Sequence, residues 1–282
     1  MSVFRITNEA PIIKNFGLSN QKQYFHSTDY EELYQKNRKD KGPNWYYYDS
    51  KIEYKFNSWG YRTKEFDELD EDYLLTFGCS YTEGIGLHYD DTWPIKLSKA
   101  LKLDIFNLGT GGTGSDFQML NTILFFNHVF KLKKLPKLVV YQWPEKHRTS
   151  YAFKTNNFDQ IEFEPFSGAL PEEWYPQNSL KFGEWYFHSF LENRGELIKN
   201  TNFCPMIVDA IWKSAGVNVL HWTYSYDFEM VYKDSFISNN VDLTHVIDDS
   251  ETKARDCSHN GVGAQDIVIK YLIEKLNSNG FS

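Results

Sequence analysis

Three short apolar runs in the first half of the chain each stop at a turn, and this repetition constrains the fold more than any other feature. Tyr73 to Phe77 (YLLTF) ends at Gly78, and the apolar spacing of Trp93 to Leu101 (WPIKLSKAL) predicts a helix. Leu103 to Leu108 (LDIFNL) runs into the glycine-rich turn Gly109 to Gly114, after which Ser115 or Asp116 caps a helix reaching about Phe130. Pro136 precedes a third run, Lys137 to Trp143 (KLVVYQW), and a fourth is Val217 to Thr223 (VNVLHWT). Gly261 to Leu276 (GVGAQDIVIKYLIEKL) carries the apolar face of a closing helix. Helices are also expected over 179–199 and 204–215, with a short strand near Leu243 to Ile247. Apolar runs of this length between turn signals read as buried strands. Strands that alternate with helices pair in parallel, with helices on both faces. The expected fold is therefore three-layered α/β/α, around a mainly parallel sheet of about five strands. Ligands of such sheets bind beyond the carboxyl ends of the strands. Gly78-Cys79-Ser80, Gly109 to Gly114 and Gln142-Trp143 should then share one rim.

Residues 1–56 read as an irregular, aromatic-rich extension packed on the core, with residues 57–282 forming one domain. The extension holds a short helix, Tyr30 to Gln35, and a turn at Gly42-Pro43. Asn44 to Phe56 (NWYYYDSKIEYKF) suggests an edge strand or hairpin. Residues 144–178 lack clear periodicity and read as a long insertion near the strand ends. A second insertion covers about 224–255. A chain of 282 residues suits one α/β domain with such insertions.

Composition excludes several classes. The net charge of −8 opposes a phosphate backbone, so no nucleic-acid partner is expected. The basic run Lys131, Lys133, Lys134 and Lys137 falls where a helix should end, where cations suit the helix dipole. No stretch approaches the length of a membrane span. Three cysteines argue against a disulfide framework, and the segment MSVFRITNEAPIIKNF lacks the apolar core of a signal peptide. A cytoplasmic protein is the expectation. The histidines show no ligand spacing, and His245 with Asp248 and Asp249 reads as a solvated loop. Neither metal nor cofactor is expected, and the oligomeric state is open.

Ser80 follows a strand and a glycine and leads toward a helix, which places its hydroxyl and backbone N–H at the rim. Serine needs a base oriented by a third group. Arg255-Asp256-Cys257-Ser258-His259-Asn260-Gly261 supplies both immediately before the last helix. Asp256 and His259, three residues apart, can set the carboxylate against imidazole Nδ1 and leave Nε2 for the serine proton.

From Asn57 to about Leu276 the chain resembles the SGNH/GDSL hydrolase superfamily. Phe77-Gly78-Cys79-Ser80-Tyr81-Thr82-Glu83-Gly84 resembles its first block and Asn107-Leu108-Gly109-Thr110-Gly111-Gly112-Thr113 its second. Asp256-Cys257-Ser258-His259 resembles the last, and Asn57-Ser58-Trp59-Gly60-Tyr61-Arg62 a segment that precedes the first in relatives with N-terminal extensions. The resemblance implies a flavodoxin-like fold and a Ser80–His259–Asp256 triad. Its oxyanion donors would be the N–H groups of Ser80 and Gly112, with Gly111 the one-residue alternative. Two departures stand out. Cys79 occupies the place of an Asp, and the third block lacks its Asn. Gln142 carries the same carboxamide on a longer stem and is the candidate third donor, with Arg148 a weaker substitute. The implied activity is hydrolysis of an acyl ester, O-acetylated carbohydrate or a lipid-like ester among the substrates. The competing functions are a non-catalytic binding module on the same fold and an acyltransferase using the same triad.

Overall fold

The computed structural model describes residues 4–6, 11–154, 161–167, 202–224, 240–242 and 253–281. In chain order the strands are β1 (Phe4–Ile6), β2 (Lys14–Asn15), β3 (Lys22–Gln23), β4 (Tyr54–Lys55), β5 (Tyr73–Gly78), β6 (Asp104–Gly109), β7 (Leu138–Trp143), β8 (Arg148–Lys154), β9 (Ile161–Ser167), β10 (Asn218–Thr223) and β11 (Asn240–Asp242). The helices are α1 (Glu31–Lys41), α2 (Ser80–Glu83), α3 (Trp93–Leu101), α4 (Ser115–Leu132), α5 (Cys204–Ser214) and α6 (Val262–Ser278).

The central sheet has the order β11-β10-β7-β5-β6, and every neighbouring pair is parallel. Side chains alternate across it, as period two demands. Leu75, Phe77, Val139, Tyr141 and Trp143 pack with Phe125 and Val129 of α4 and with Val208 and Trp212 of α5. Leu74, Leu138, Val140, Leu220 and Trp222 pack with Trp93 and Leu97 of α3 and with Val268 and Leu272 of α6. Two apolar layers thus enclose the sheet, which is the three-layer α/β/α arrangement. On the first face, Tyr141 stacks on Phe77 with centroids 4.7 Å apart and on Trp143 at 5.1 Å.

The regions around the sheet differ more from the sequence reading. Helix α1 runs on to Lys41 and ends at Gly42, whose φ is +70°. Only Tyr34 and Asn37 of it are buried, so it carries little apolar period to reveal its length. Of Asn44 to Phe56, only Tyr54–Lys55 is strand, paired antiparallel with β3. The first insertion contains the hairpin β8-β9, which joins β1 and β2 in a separate sheet of order β2-β1-β9-β8. β9 pairs there with β1, Phe4 opposite Phe163 and Ile6 opposite Ile161, a long-range pairing that local periodicity does not carry. Helix α5 falls on the expected 204–215. The expected helix over 179–199, the strand Leu243 to Ile247 and the His245, Asp248 and Asp249 set lie outside the described residues. No described helix is long and apolar enough to cross a membrane.

Candidate active site

The first strand of the pattern delivers Ser80 to the rim. Gly78, the last residue of β5, pairs in register with Gly109, the last of β6. Ser80 then opens α2 and is 5% exposed. The helix lies directly on these strand ends. A methyl group at Gly109 would sit 2.6 Å from Thr82 Cγ2 and 2.7 Å from the Glu83 nitrogen, so only glycine allows this approach.

Three buried side chains fix the turn. The Gln142 carboxamide oxygen accepts the Cys79 N–H at 3.0 Å, the Thr82 hydroxyl at 3.1 Å and the Cys79 thiol at 3.2 Å. Its nitrogen donates to the Trp143 carbonyl at 2.7 Å. Gln142 therefore meets the turn through its oxygen, from below. Asn107 donates to the Thr82 carbonyl at 3.0 Å and accepts from Thr76 and from the Gly109 N–H. Arg62, 1% exposed, donates to the carbonyls of Glu83 and Gly84 at the end of α2, and to those of Leu87 and Glu53. The Glu83 carbonyl is one that the end of a short helix leaves without a helical partner.

Asp256 and His259 come from the loop before α6. The Arg255 N–H donates to the Gly86 carbonyl at 2.9 Å, which ties this loop to the exit of α2. The imidazole of His259 packs edge-on against Tyr81, the neighbour of Ser80, with centroids 5.1 Å apart. The Asp256 carboxylate accepts five hydrogen bonds. Oδ1 takes the N–H groups of Ser258 and His259 at 3.1 and 3.0 Å. Oδ2 takes His259 Nδ1, the Ser258 hydroxyl and the Thr28 hydroxyl, each at 2.6 Å. Burial works to raise the Asp256 pKa. The His259 hydrogen bond and charge, then Ser258 and Thr28, outweigh it and hold the carboxyl far below the usual range. An ionised carboxylate on Nδ1 keeps the proton there and leaves Nε2 as the acceptor.

The glycine loop also approaches Ser80. A methyl group at Gly111 would be 3.8 Å from the Ser80 Cβ. The Gly111 N–H is engaged by Glu83, while Gly112 follows at a φ of +79°. Glu83, buried, also meets His26 Nε2 at 2.7 Å. Its burial raises the pKa, but His26, the Gly111 N–H and Arg62 bring the net value below normal.

Cys79 is fully buried, and burial pushes its thiol pKa up, which suppresses the reactive thiolate. Arg148 pairs with Glu145 at 2.6 Å. The sequence does not single out Thr28 or His26, and it shows Glu83 and Arg62 only within motifs. Thr28 reaches Asp256 across 228 residues, and no local pattern announces such a contact.

No protein-family model and no curated protein matches the sequence. Solved structures do. An acetyl xylan esterase from the rumen bacterium Butyrivibrio proteoclasticus is 11% identical over 76% of this chain and 66% of its own, with a TM-score of 0.44. This chain thus spans just under two thirds of that esterase. A G-D-S-L family member from Desulfitobacterium hafniense is 12% identical over 73% of this chain and 100% of its own, with a TM-score of 0.37. A family 2 carbohydrate esterase with a carbohydrate-binding domain, from Corynascus thermopiles, is 13% identical over 74% and 68%, with a TM-score of 0.40. The likeness is one of fold.

Proposed function

We propose that the chain is a serine esterase in which Ser80, His259 and Asp256 act together. The observation that carries this reading is the 2.6 Å contact of the ionised Asp256 with His259 Nδ1, on the loop that packs against the turn bearing Ser80. In the proposed reaction Ser80 Oγ attacks the ester carbonyl and His259 Nε2 takes its proton. The tetrahedral intermediate collapses as His259 returns that proton to the leaving alcohol. Water, deprotonated by His259, then cleaves the acyl-serine and restores the serine hydroxyl. The N–H groups of Ser80 and Gly112 serve as oxyanion donors. Each such donor is worth about 2.7–4 kcal/mol of barrier. The Gln142 amide nitrogen donates to the Trp143 carbonyl and its oxygen accepts from the turn, so its proposed part is to hold Cys79 and Thr82 in place. The substrate class is an acyl ester, with O-acetylated carbohydrate the leading candidate.

The test is hydrolysis of 4-nitrophenyl acetate and labelling by a fluorophosphonate probe. Ser80→Ala and His259→Ala are each expected to lose turnover by at least about a thousandfold and to lose labelling. Equal rates in wild type and Ser80→Ala would remove Ser80 from the mechanism. Absence of labelling in the wild type would favour a binding module, and ester exchange onto an added alcohol an acyltransferase.

A further inference from the structure

Glu83 closes the short helix that Ser80 opens, yet the proposed reaction gives it no part. It is 3% exposed, and a carboxylate is kept that far from water only where partners replace the water. Oε1 meets His26 Nε2 at 2.7 Å, and Oε2 takes the Gly111 N–H. His26 is itself held: its Nδ1 meets Gln23 Nε2 at 2.9 Å, and its ring lies against Tyr54 and Phe56 with centroids 5.4 and 5.2 Å apart. A buried carboxylate near a developing oxyanion would oppose it unless its charge were offset. His26 supplies part of that offset, and Arg62, whose guanidinium donates to the Glu83 carbonyl at 3.2 Å, supplies another.

The glycine loop gives this carboxylate a use. The Gly109 N–H donates to the Asn107 side chain at 2.9 Å, the Thr110 N–H to the Gly78 carbonyl at 2.9 Å, and the Gly111 N–H to Glu83. The next N–H, that of Gly112, meets no acceptor among the described residues, and neither does that of Ser80. These two are the oxyanion donors of the proposed reaction. One begins α2 and the other lies on the loop after β6, so local backbone geometry does not set their separation. Glu83 spans them. Its backbone belongs to the helix of Ser80, and its carboxylate holds the residue before Gly112.

We propose that Glu83 is a positioning residue that sets the distance between the Ser80 and Gly112 N–H groups. The proposal rests on the esterase reading, because only an oxyanion held between the two donors gives their distance a consequence. A misplacement of about 1 Å at a reacting centre costs on the order of a hundredfold in rate. The test compares Glu83→Leu with Glu83→Gln, both uncharged and of similar size. Only glutamine keeps an oxygen that can accept the Gly111 N–H. Hydrolysis of 4-nitrophenyl acetate is measured on the full chain, with urea midpoints to show that each variant is folded. Glu83→Leu should lose at least about tenfold in kcat while KM stays within about twofold, and Glu83→Gln should turn over at least about tenfold faster than Glu83→Leu. A folded Glu83→Leu protein that loses less, that loses it through KM, or that Glu83→Gln does not outpace by that factor overturns the proposal. If Glu83→Leu does not fold, Glu83→Asp takes its place under the same criteria, since it keeps the charge and draws the acceptor back by one methylene. A wild type that hydrolyses no ester and takes no fluorophosphonate label defeats the esterase reading and this proposal with it. Ser80-dependent turnover in the wild type with an indifferent Glu83→Leu defeats this proposal alone.

Discussion

At the scale of single residues, Thr28 stands out because it gives Asp256 a hydrogen bond that no neighbour in sequence replaces. Its hydroxyl shares Oδ2 with Ser258 and His259 at 2.6 Å. It is also one of the groups that lower the Asp256 pKa. Thr28→Val keeps the shape and removes the donor. A hydrogen bond to a charged group is worth about 1.5–3 kcal/mol, so kcat/KM should fall about tenfold or more. With one lowering influence gone, the Asp256 carboxyl moves back toward its ordinary range. Thr28→Ser should restore the rate. A Thr28→Val protein that keeps the wild-type kcat/KM would exclude this role. Ser80, Asp256 and His259 stand out as candidates in the sequence because each sits in a local strand-turn-helix or loop-helix signature. Thr28 does not, because its meaning comes from a partner at the far end of the chain.

At the scale of elements, the loop carrying Asp256 is held by the segment between β3 and α1. The Arg255 guanidinium forms a buried two-pronged pair with Asp29, at 2.8 Å from Nε and 2.7 Å from Nη2. Tyr54 of β4 donates to the same Asp29 at 2.5 Å and accepts the Gly86 N–H at 2.8 Å. One carboxylate thus links the loop, β4 and, through Tyr54, the exit of α2. Removing one partner of a buried ion pair costs about 3–5 kcal/mol, because the other charge is left stranded. Asp29→Ala should therefore lower unfolding stability by that order in urea titration. A change under about 1 kcal/mol would show that the pair does not hold the loop. β5, β6, β7 and β10 of the parallel sheet were readable because each is an apolar run closed by a turn, whereas β11, Asn240–Asp242, is a three-residue strand with no such run. β1 and the hairpin β8-β9 were not readable either, because β1 meets β9 only over a long separation and none of the three carries the pattern.

At the scale of the whole molecule, four carboxyl groups and one histidine make stability fall on acidification. Asp256, Glu83, Asp104 and Asp209 all lie below their ordinary pKa values, burial opposing the shift in each and hydrogen bonds and nearby charge overcoming it. The unfolded chain therefore takes up these protons first. Their contribution is complete above the ordinary carboxyl values and is lost as pH falls through the folded ones. His221, fully buried, has its pKa lowered by burial against the pull of Asp209. Its neutral form belongs to the folded state, so its contribution begins to disappear as pH drops below the ordinary 6.5. Urea midpoints should fall from about pH 7.5 to about 5.5 and fall further by about 3.5. A midpoint that rises on acidification would contradict the assignment.

The bond from Thr28 to Asp256 also has a kinetic meaning. It closes a loop of 228 residues, and contacts between distant parts of a chain form late and slowly in folding. The central sheet, with β5, β6 and β7 within about 70 residues of one another, completes over far shorter loops. On the proposed mechanism, a refolding chain gains its core before it gains its catalytic charge. The return of turnover then marks the moment at which the two ends of the chain find each other.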